Sequence, residues 1–310
     1  MTEATAKKRD VSFRTYFWKR RWLYLMCLPG LAFLIIFKYI PMYGVIMAFQ
    51  DFSFKKGIFG SPFNHFAHFQ QLFTSAKFFQ VFSNSLLLSV TRLIFSFPIP
   101  IILALLINEI HLKAYKKTTQ TLMYLPHFLS WIVLGGITTN FLSMTDGLIN
   151  DMIAALGGQK INFLGSTDWF RFVIIITNIW KEAGWGTIIY LAGLSAISPD
   201  LYEAATVDGA NRWQRIAHVT LPGISNTVVI MLVLAVGGLM NNGFEQVYLF
   251  QNDLNIAVSD VFETYTYKIG IVSGRYSYST AVGLFKNVIA TALIFSSNRI
   301  AKKLGGATLY

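Results

Sequence analysis

Residues Ile216–Phe244 read IAHVTLPGISNTVVIMLVLAVGGLMNNGF, without a single Asp, Glu, Lys or Arg. A helix needs roughly 20 mainly apolar residues to cross about 30 Å of hydrocarbon, so this stretch reads as a membrane span. A second uncharged run, Thr118–Thr145, makes the same case. The rest of the chain agrees: of 310 residues 54% are hydrophobic and only 13% charged, and the mean hydropathy is +0.49. Those values are wrong for a water-soluble core. With 27 Phe, 14 Tyr and 7 Trp they also exclude disorder, because that much apolar surface does not stay solvated. The single cysteine, Cys27, rules out an intramolecular disulfide framework and a thiolate metal cluster.

Working outward, six spans are expected, near Leu23–Ala48, Ser85–Asn108, Thr121–Ser143, Phe172–Ser195, Gly223–Gln246 and Ser279–Ile300. The fold class is therefore all-α, a polytopic membrane protein. The domain reading is a basic N-terminal segment 1–22, a transmembrane domain 23–300 and a tail 301–310. Lys19, Arg20 and Arg21 precede an apolar run too long for a signal-peptide core and without an A-x-A-like exit, so that run is read as a retained first span.

Six spans put both termini on one side, and the 26 basic residues say which. The terminal segments, with those around Lys113–Lys117 and Arg212–Arg215, hold fifteen; the opposite segments hold seven; Lys38, Arg92, Lys181 and Lys286 fall within or at the edge of spans. Cytoplasmic loops carry the excess of Lys and Arg, which places both termini in the cytoplasm and accounts for the net charge of +11 without nucleic acid. The external segments Phe49–Asn84, Met144–Arg171 and Val247–Tyr278 are expected to form small, partly helical caps.

One cytoplasmic connector has a different character: Ile197–Pro222, ISPDLYEAATVDGANRWQRIAHVTLP. Ser198 followed by Pro199 is a helix start, and Asp200 and Glu203 suit the positive end of the helix dipole. Gly209 permits a break, and a second amphipathic turn follows, with Trp213 and Ile216 apolar and Arg212 and Arg215 polar. A patterned helix–glycine–helix of this length suits docking to another protein; an amphipathic helix resting on lipid headgroups is the other reading.

Glu203-Ala204-Ala205, Gly209 four residues on, and Val219-Thr220-Leu221-Pro222 together resemble the EAA loop of binding-protein-dependent ABC importer permeases. That pattern reads E-A-A, three residues, G, nine residues, I-x-L-P, and only Val219 departs from it. Leu201-Tyr202-Glu203-Ala204-Ala205 and Asp208-Gly209-Ala210 are similar to the sugar-importer branch. Phe37-Lys-Tyr-Ile-Pro-Met-Tyr-Gly44 and Ala48-Phe-Gln-Asp-Phe52 look like permeases for oligosaccharides of complex cell-wall polysaccharides.

The resemblance implies a type I importer permease that translocates a sugar or oligosaccharide but binds no nucleotide itself. The chain has no G-x-x-x-x-G-K-[ST] phosphate loop, so ATP and Mg would be held by two cytoplasmic ATPase subunits, docked through Glu203, Ala204, Ala205, Asp208 and Gly209, with Arg212 or Arg215 pairing acidic groups on that motor. A second permease, in this branch usually a different chain, and an extracytoplasmic solute-binding protein would complete the assembly in a bacterial inner membrane.

For the sugar pathway the candidates are Asn178 and Trp185 in the fourth span and Asn241, Asn242 and Glu245 late in the fifth. Polar residues at membrane depth face the bundle interior or a wet cavity, and amides, a carboxylate and an aromatic ring suit sugars. Interhelical hydrogen bonding is the competing use of Asn178 and Asn241. Lys181 and Glu182 read as a salt-bridged or loop-facing pair; Arg92 and Lys286 snorkel, neutralise carboxylates on neighbouring helices or, were the sugar a uronate, face the pathway. Pro98 and Pro100 are expected to kink the second span. His65 and His68 lack a Cys or carboxylate cluster that would support a metal, His127 and His218 read as isolated structural residues, and no catalytic nucleophile–base pair can be assembled. An ion-coupled secondary transporter, the main rival, would need inverted repeats and broken helices, and the sequence shows no repeat.

Overall fold

The structure, a computed structural model, describes residues 18–303. Most of the expected basic N-terminal segment, with Lys7, Lys8, Arg9 and Arg14, and most of the C-terminal tail lie outside the described residues. Within them the chain is helical, with one isolated antiparallel bridge, Gln50 to Phe63, and no strand.

The first element, α1 (Arg21–Phe49), contains the expected first span. Its N-terminal part, Arg21–Leu34, buries no residue, whereas its far end packs on the last helix and buries Ala48 completely. A short helix, α2 (Ala67–Thr74), leads to Ser75, whose hydroxyl accepts the Phe78 N–H at 3.3 Å and starts α3 (Ala76–Asn108). Pro98 opens the second half of α3 after a local break at Phe97; the two halves still form one helical segment of 33 residues.

The expected third span is not continuous. It is divided between α4 (Lys113–Phe128) and α5 (Trp131–Leu142), bent by 100°. Pro126 and Ser130 explain the division: proline removes an amide donor near the end of α4, and the Ser130 hydroxyl accepts the Val133 N–H at 3.3 Å to begin a new helix. Outside the bundle, α6 (Leu148–Ala155) packs against α5. In the loop before it Ser143 and Thr145 donate to Asp146 Oδ1 at 2.7 and 2.9 Å, which holds that carboxyl below the usual range.

Capped by Ser166, α7 (Thr167–Ser195) contains the expected fourth span. At 1.5 Å per residue it is about 43 Å long, long enough to cross a bilayer, although Asp168, Arg171, Lys181 and Glu182 lower its apolar character. The connector forms α8 (Pro199–Val207) and α9 (Arg212–Gly223). After a 61° bend comes α10 (Ser225–Gly237). The expected fifth span breaks here as well: α10 ends at Gly237, the backbone unwinds through Asn242, and α11 (Phe244–Phe250) begins after Gly243, whose φ of +75° is open chiefly to glycine. A short helix, α12 (Phe262–Tyr267), precedes α13 (Tyr276–Lys303), which contains the expected sixth span.

By length and composition, α1, α3 and α13 are each able to cross a membrane, and the bent pairs α4–α5 and α9–α10 raise the number to five if each is one span. Three apolar clusters hold the helices together. Beside α2 and α12 Leu72, Phe78, Met240, Phe262 and Tyr278 pack together; Leu88, Ile174, Val247 and Val261 join α3, α7 and α11; Ala104, Tyr190, Leu194 and Ile224 tie α3 to α7. Small residues allow the closest approach: a Cβ on Gly184 of α7 would collide with the Met123 carbonyl of α4, the use of glycine expected where helices meet in lipid. Large apolar side chains stay on the outside, among them Trp22, Met26, Phe128 and Ile132, as suits a surface that meets hydrocarbon or another subunit.

Candidate functional site

The connector between α7 and α10 is built as a rigid pair. The Ser198 hydroxyl accepts the Asp200 N–H at 3.3 Å and caps α8. At the other end Ala210 N–H donates to Ala205 O at 2.9 Å and Gly209 N–H to Thr206 O at 3.1 Å, a Schellman closure that requires its left-handed residue at Gly209, where φ is +78°. Asn211 then opens α9 through a capping box with Gln214, the two bonds measuring 2.8 and 3.0 Å. The Tyr202 hydroxyl donates to Thr220 Oγ1 at 3.2 Å, and Arg215 donates to Thr206 Oγ1 at 3.2 Å, folding α8 back on α9. Glu203, Ala204, Asp208, Gly209 and Arg212 are exposed and Ala205 half-buried. Val207 and Trp213, 88% and 77% exposed, make an apolar rim. Arg212, one of the two arginines expected to pair acidic groups on an ATPase subunit, pairs with Glu109 of its own chain and stays exposed. Tyr202 and Thr220 were not singled out by the sequence, although an aromatic beside the E-A-A run was a visible signal.

The interior polar residues fall into two groups. In the first, Asn178 and Asn241 line one cavity of about 220 Å³ with Ser89, Arg92 and Ser96. Asn242 is fully buried: its Oδ1 accepts the Ser89 hydroxyl at 3.0 Å, and its backbone N–H donates to Glu263 Oε1 at 3.3 Å. Arg92 donates to the Asn242 carbonyl at 3.1 Å and to Gln246 Oε1 at 2.9 Å. Gln246 in turn donates to Ile174 O and Thr177 Oγ1, both at 2.8 Å. Lys286 neutralises a carboxylate on a neighbouring helix, donating to Glu263 Oε1 at 2.6 Å. The broken fifth span is thus wrapped by side chains from α3, α7, α12 and α13. Glu245 is exposed at the start of α11 and does not join this group.

Further along α7 from Asn178, about 4.5 Å away at Lys181 and about 10 Å at Trp185 by the rise of 1.5 Å per residue, lies the second group. Lys181, 7% exposed, donates to the carbonyls of His127 and Leu129 at 2.6 and 2.7 Å. These are the carbonyls released where α4 stops, so the cation serves as a C-terminal cap supplied by another helix. Glu182 lies 4.0 Å from Lys181 and makes its shorter contact, 2.9 Å, with His127 Nδ1. Trp185 stacks on the His127 ring at 4.5 Å with an interplanar angle of 4° and remains 43% exposed. His127 is therefore part of a cluster rather than an isolated residue; its neighbour Pro126 marked the break that put it there. His218 bonds within its own helix, to Gln214 O at 3.0 Å.

Apolar helices interrupted at two polar breaks, with an exposed capped helix pair between α7 and α10, are those of a multi-pass membrane component. The comparisons make this specific: residues 73–306 match the family described as "Binding-protein-dependent transport system inner membrane component", and the chain belongs to that family. It is 46% identical to Protein LplB of Bacillus subtilis (strain 168), over 99% of this chain and 100% of that one. It is also 46% identical to the polygalacturonan/rhamnogalacturonan transport system permease protein YteP of the same organism, over 94% of this chain and 91% of that one. Among solved structures it is similar to a chain of a bacterial alginate ABC transporter in complex with an alginate pentasaccharide-bound periplasmic protein. The TM-score is 0.88 at 38% identity, covering 96% of this chain and 100% of that one. As a permease of this family the chain is a non-catalytic membrane subunit.

Proposed function

We propose that the chain is one of two permease subunits of an ATP-driven oligosaccharide importer, with six spans and both termini in the cytoplasm. In this reading α7 is the fourth span, each bent pair is one span, the membrane domain runs over 23–300, and α8–α9 faces the cytosol. The second permease, two ATPase subunits carrying ATP and Mg, and an external solute-binding protein complete the assembly. The solved relative holds a pentasaccharide on a periplasmic protein, and the YteP relative is named for polygalacturonan and rhamnogalacturonan, which supports an oligosaccharide as cargo.

The observation that carries this reading is the helix pair around Gly209. It is internally braced yet outwardly unpaired at Val207 and Trp213, and it sits directly ahead of α10. A push from a nucleotide-driven neighbour on α8 would pass through the Tyr202–Thr220 contact into α9 and tilt α10. Asn178, Asn241, Asn242, Glu245 and Trp185 would then contribute to this chain's half of the pathway, Asn242 by shaping its wall, since its side chain has no exposed surface.

The test is reconstitution of the four-part importer in liposomes with Gly209→Trp and Gly209→Ala. No heavy atom lies within 4 Å of a Cβ built on Gly209, so neither substitution meets a clash at its first side-chain atom, and both carry the same left-handed backbone strain, roughly 1–2 kcal/mol. Only the Trp variant blocks docking, and it should lose ATP-driven uptake at least tenfold while the Ala variant keeps most of it. Equal uptake and equal assembly in the Trp variant would refute the docking role. Uptake by this chain alone, driven by an ion gradient, would instead establish a secondary transporter.

A further inference from the structure

Arg92 sits on α3 at membrane depth with only neutral oxygens for partners. Its two bonds go to the Asn242 carbonyl and the Gln246 side-chain amide, and its Nε–H is buried with no acceptor. Among the described residues no carboxylate comes within 4.0 Å of it. Glu263 and Glu182 attract it only from beyond contact distance, and Glu263 is taken by Lys286 at 2.6 Å. A guanidinium carries five N–H donors, so most of its hydrogen-bonding capacity remains without an anion in contact, a costly state inside a membrane protein.

The same side chain lines the 220 Å³ cavity with Ser96, Asn178 and Asn241. The Ser96 hydroxyl is also buried without a partner, and Asn241 is exposed. A cation with spare forked donors, an idle hydroxyl and two amides around a space too small for a chain of sugars fit one charged substituent and the ring that carries it. Arg presents two parallel N–H groups to a carboxylate, a geometry Lys cannot reproduce.

We propose that Arg92 is a specificity-determining residue that reads the carboxylate of a uronate unit as the oligosaccharide passes, with Ser96 and Asn178 holding the adjoining hydroxyls. This rests on the oligosaccharide-importer reading and adds to it the chemical class of the cargo. A neutral sugar offers the spare donors no anion at hydrogen-bond distance, whereas each uronate in turn supplies one.

The experiment uses the complete importer in liposomes, with trigalacturonate as the acidic probe and its methyl ester as a neutral probe of nearly the same size. The parent should take up trigalacturonate in preference to the ester. Arg92→Gln should lose at least tenfold of the acidic uptake, and Arg92→Lys should recover part of it. Because Arg92 also braces the broken fifth span, a second variant reports on the ligand directly. In a Cys27→Ser background, which removes the one native and exposed thiol, Ser96→Cys should react with a small thiosulfonate several-fold more slowly when trigalacturonate is present, and no more slowly with the ester. Acidic uptake by Arg92→Gln within twofold of the parent would overturn the proposal, as would equal protection of Ser96→Cys by both probes. ATP-driven uptake of the neutral ester with exclusion of the acid would also overturn it while leaving the importer reading intact. No ATP-driven uptake of either would count against both.

Discussion

Lys181→Met isolates the contribution of one side chain to the bend between α4 and α5. The substitution keeps the unbranched stem, and so most of the packing, but removes two charge-assisted hydrogen bonds, 2.6 Å to His127 O and 2.7 Å to Leu129 O. Bonds to a charged group contribute about 1.5–3 kcal/mol each, and a buried carbonyl left without a donor costs about 1–3 kcal/mol. With Lys181 only 7% exposed, little water replaces the lost donor, and the expected destabilisation is about 3–5 kcal/mol. At about 2 °C per kcal/mol for a chain of this size, thermal unfolding of the purified importer in detergent should move down by about 6–10 °C. Lys181→Arg should fall between parent and Met, since it keeps the charge but changes the reach. A melting temperature for Lys181→Met within about 1 °C of the parent would show that the carbonyls are satisfied some other way, and the account of the bend would have to be abandoned.

Two further outcomes test the interior. Glu263→Gln leaves Lys286 without its 2.6 Å counter-charge and should destabilise the chain by about 3–5 kcal/mol, whereas Glu263→Gln with Lys286→Met should recover at least half of that in the same melting assay. Gly184→Leu places a side chain against the Met123 carbonyl, so α4 and α7 must separate; membrane-inserted protein should become sensitive to protease, while Gly136→Leu, with nothing within 4 Å, should remain resistant.

Much of the architecture was legible because lipid imposes simple demands on composition. The apolar runs located the long helices, and Ser198, Pro199 and Gly209 marked the start and end of α8 because capping chemistry acts over four or five residues. What escaped was long-range. The run Thr118–Thr145 has no charge to interrupt it, and Pro126 alone does not say whether a helix kinks or stops; the bend is fixed by Lys181, which arrives from another helix. The second break was not read from the sequence either, because its supporting residues, Arg92, Glu263 and Lys286, are spread over three other helices. The pathway residues were chosen by polarity, and the structure separates them: Asn178 and Asn241 face one cavity, Trp185 belongs with His127, and Asn242 turns inward to Ser89.

The bend between α4 and α5 also bears on how the chain is made. Its open carbonyls receive their donor from 52 and 54 residues further along. During synthesis α4 is made before Lys181, so for that interval the bare end of α4 has to find another donor. The bend between α4 and α5 is therefore finished by α7, and the order of synthesis becomes part of the fold.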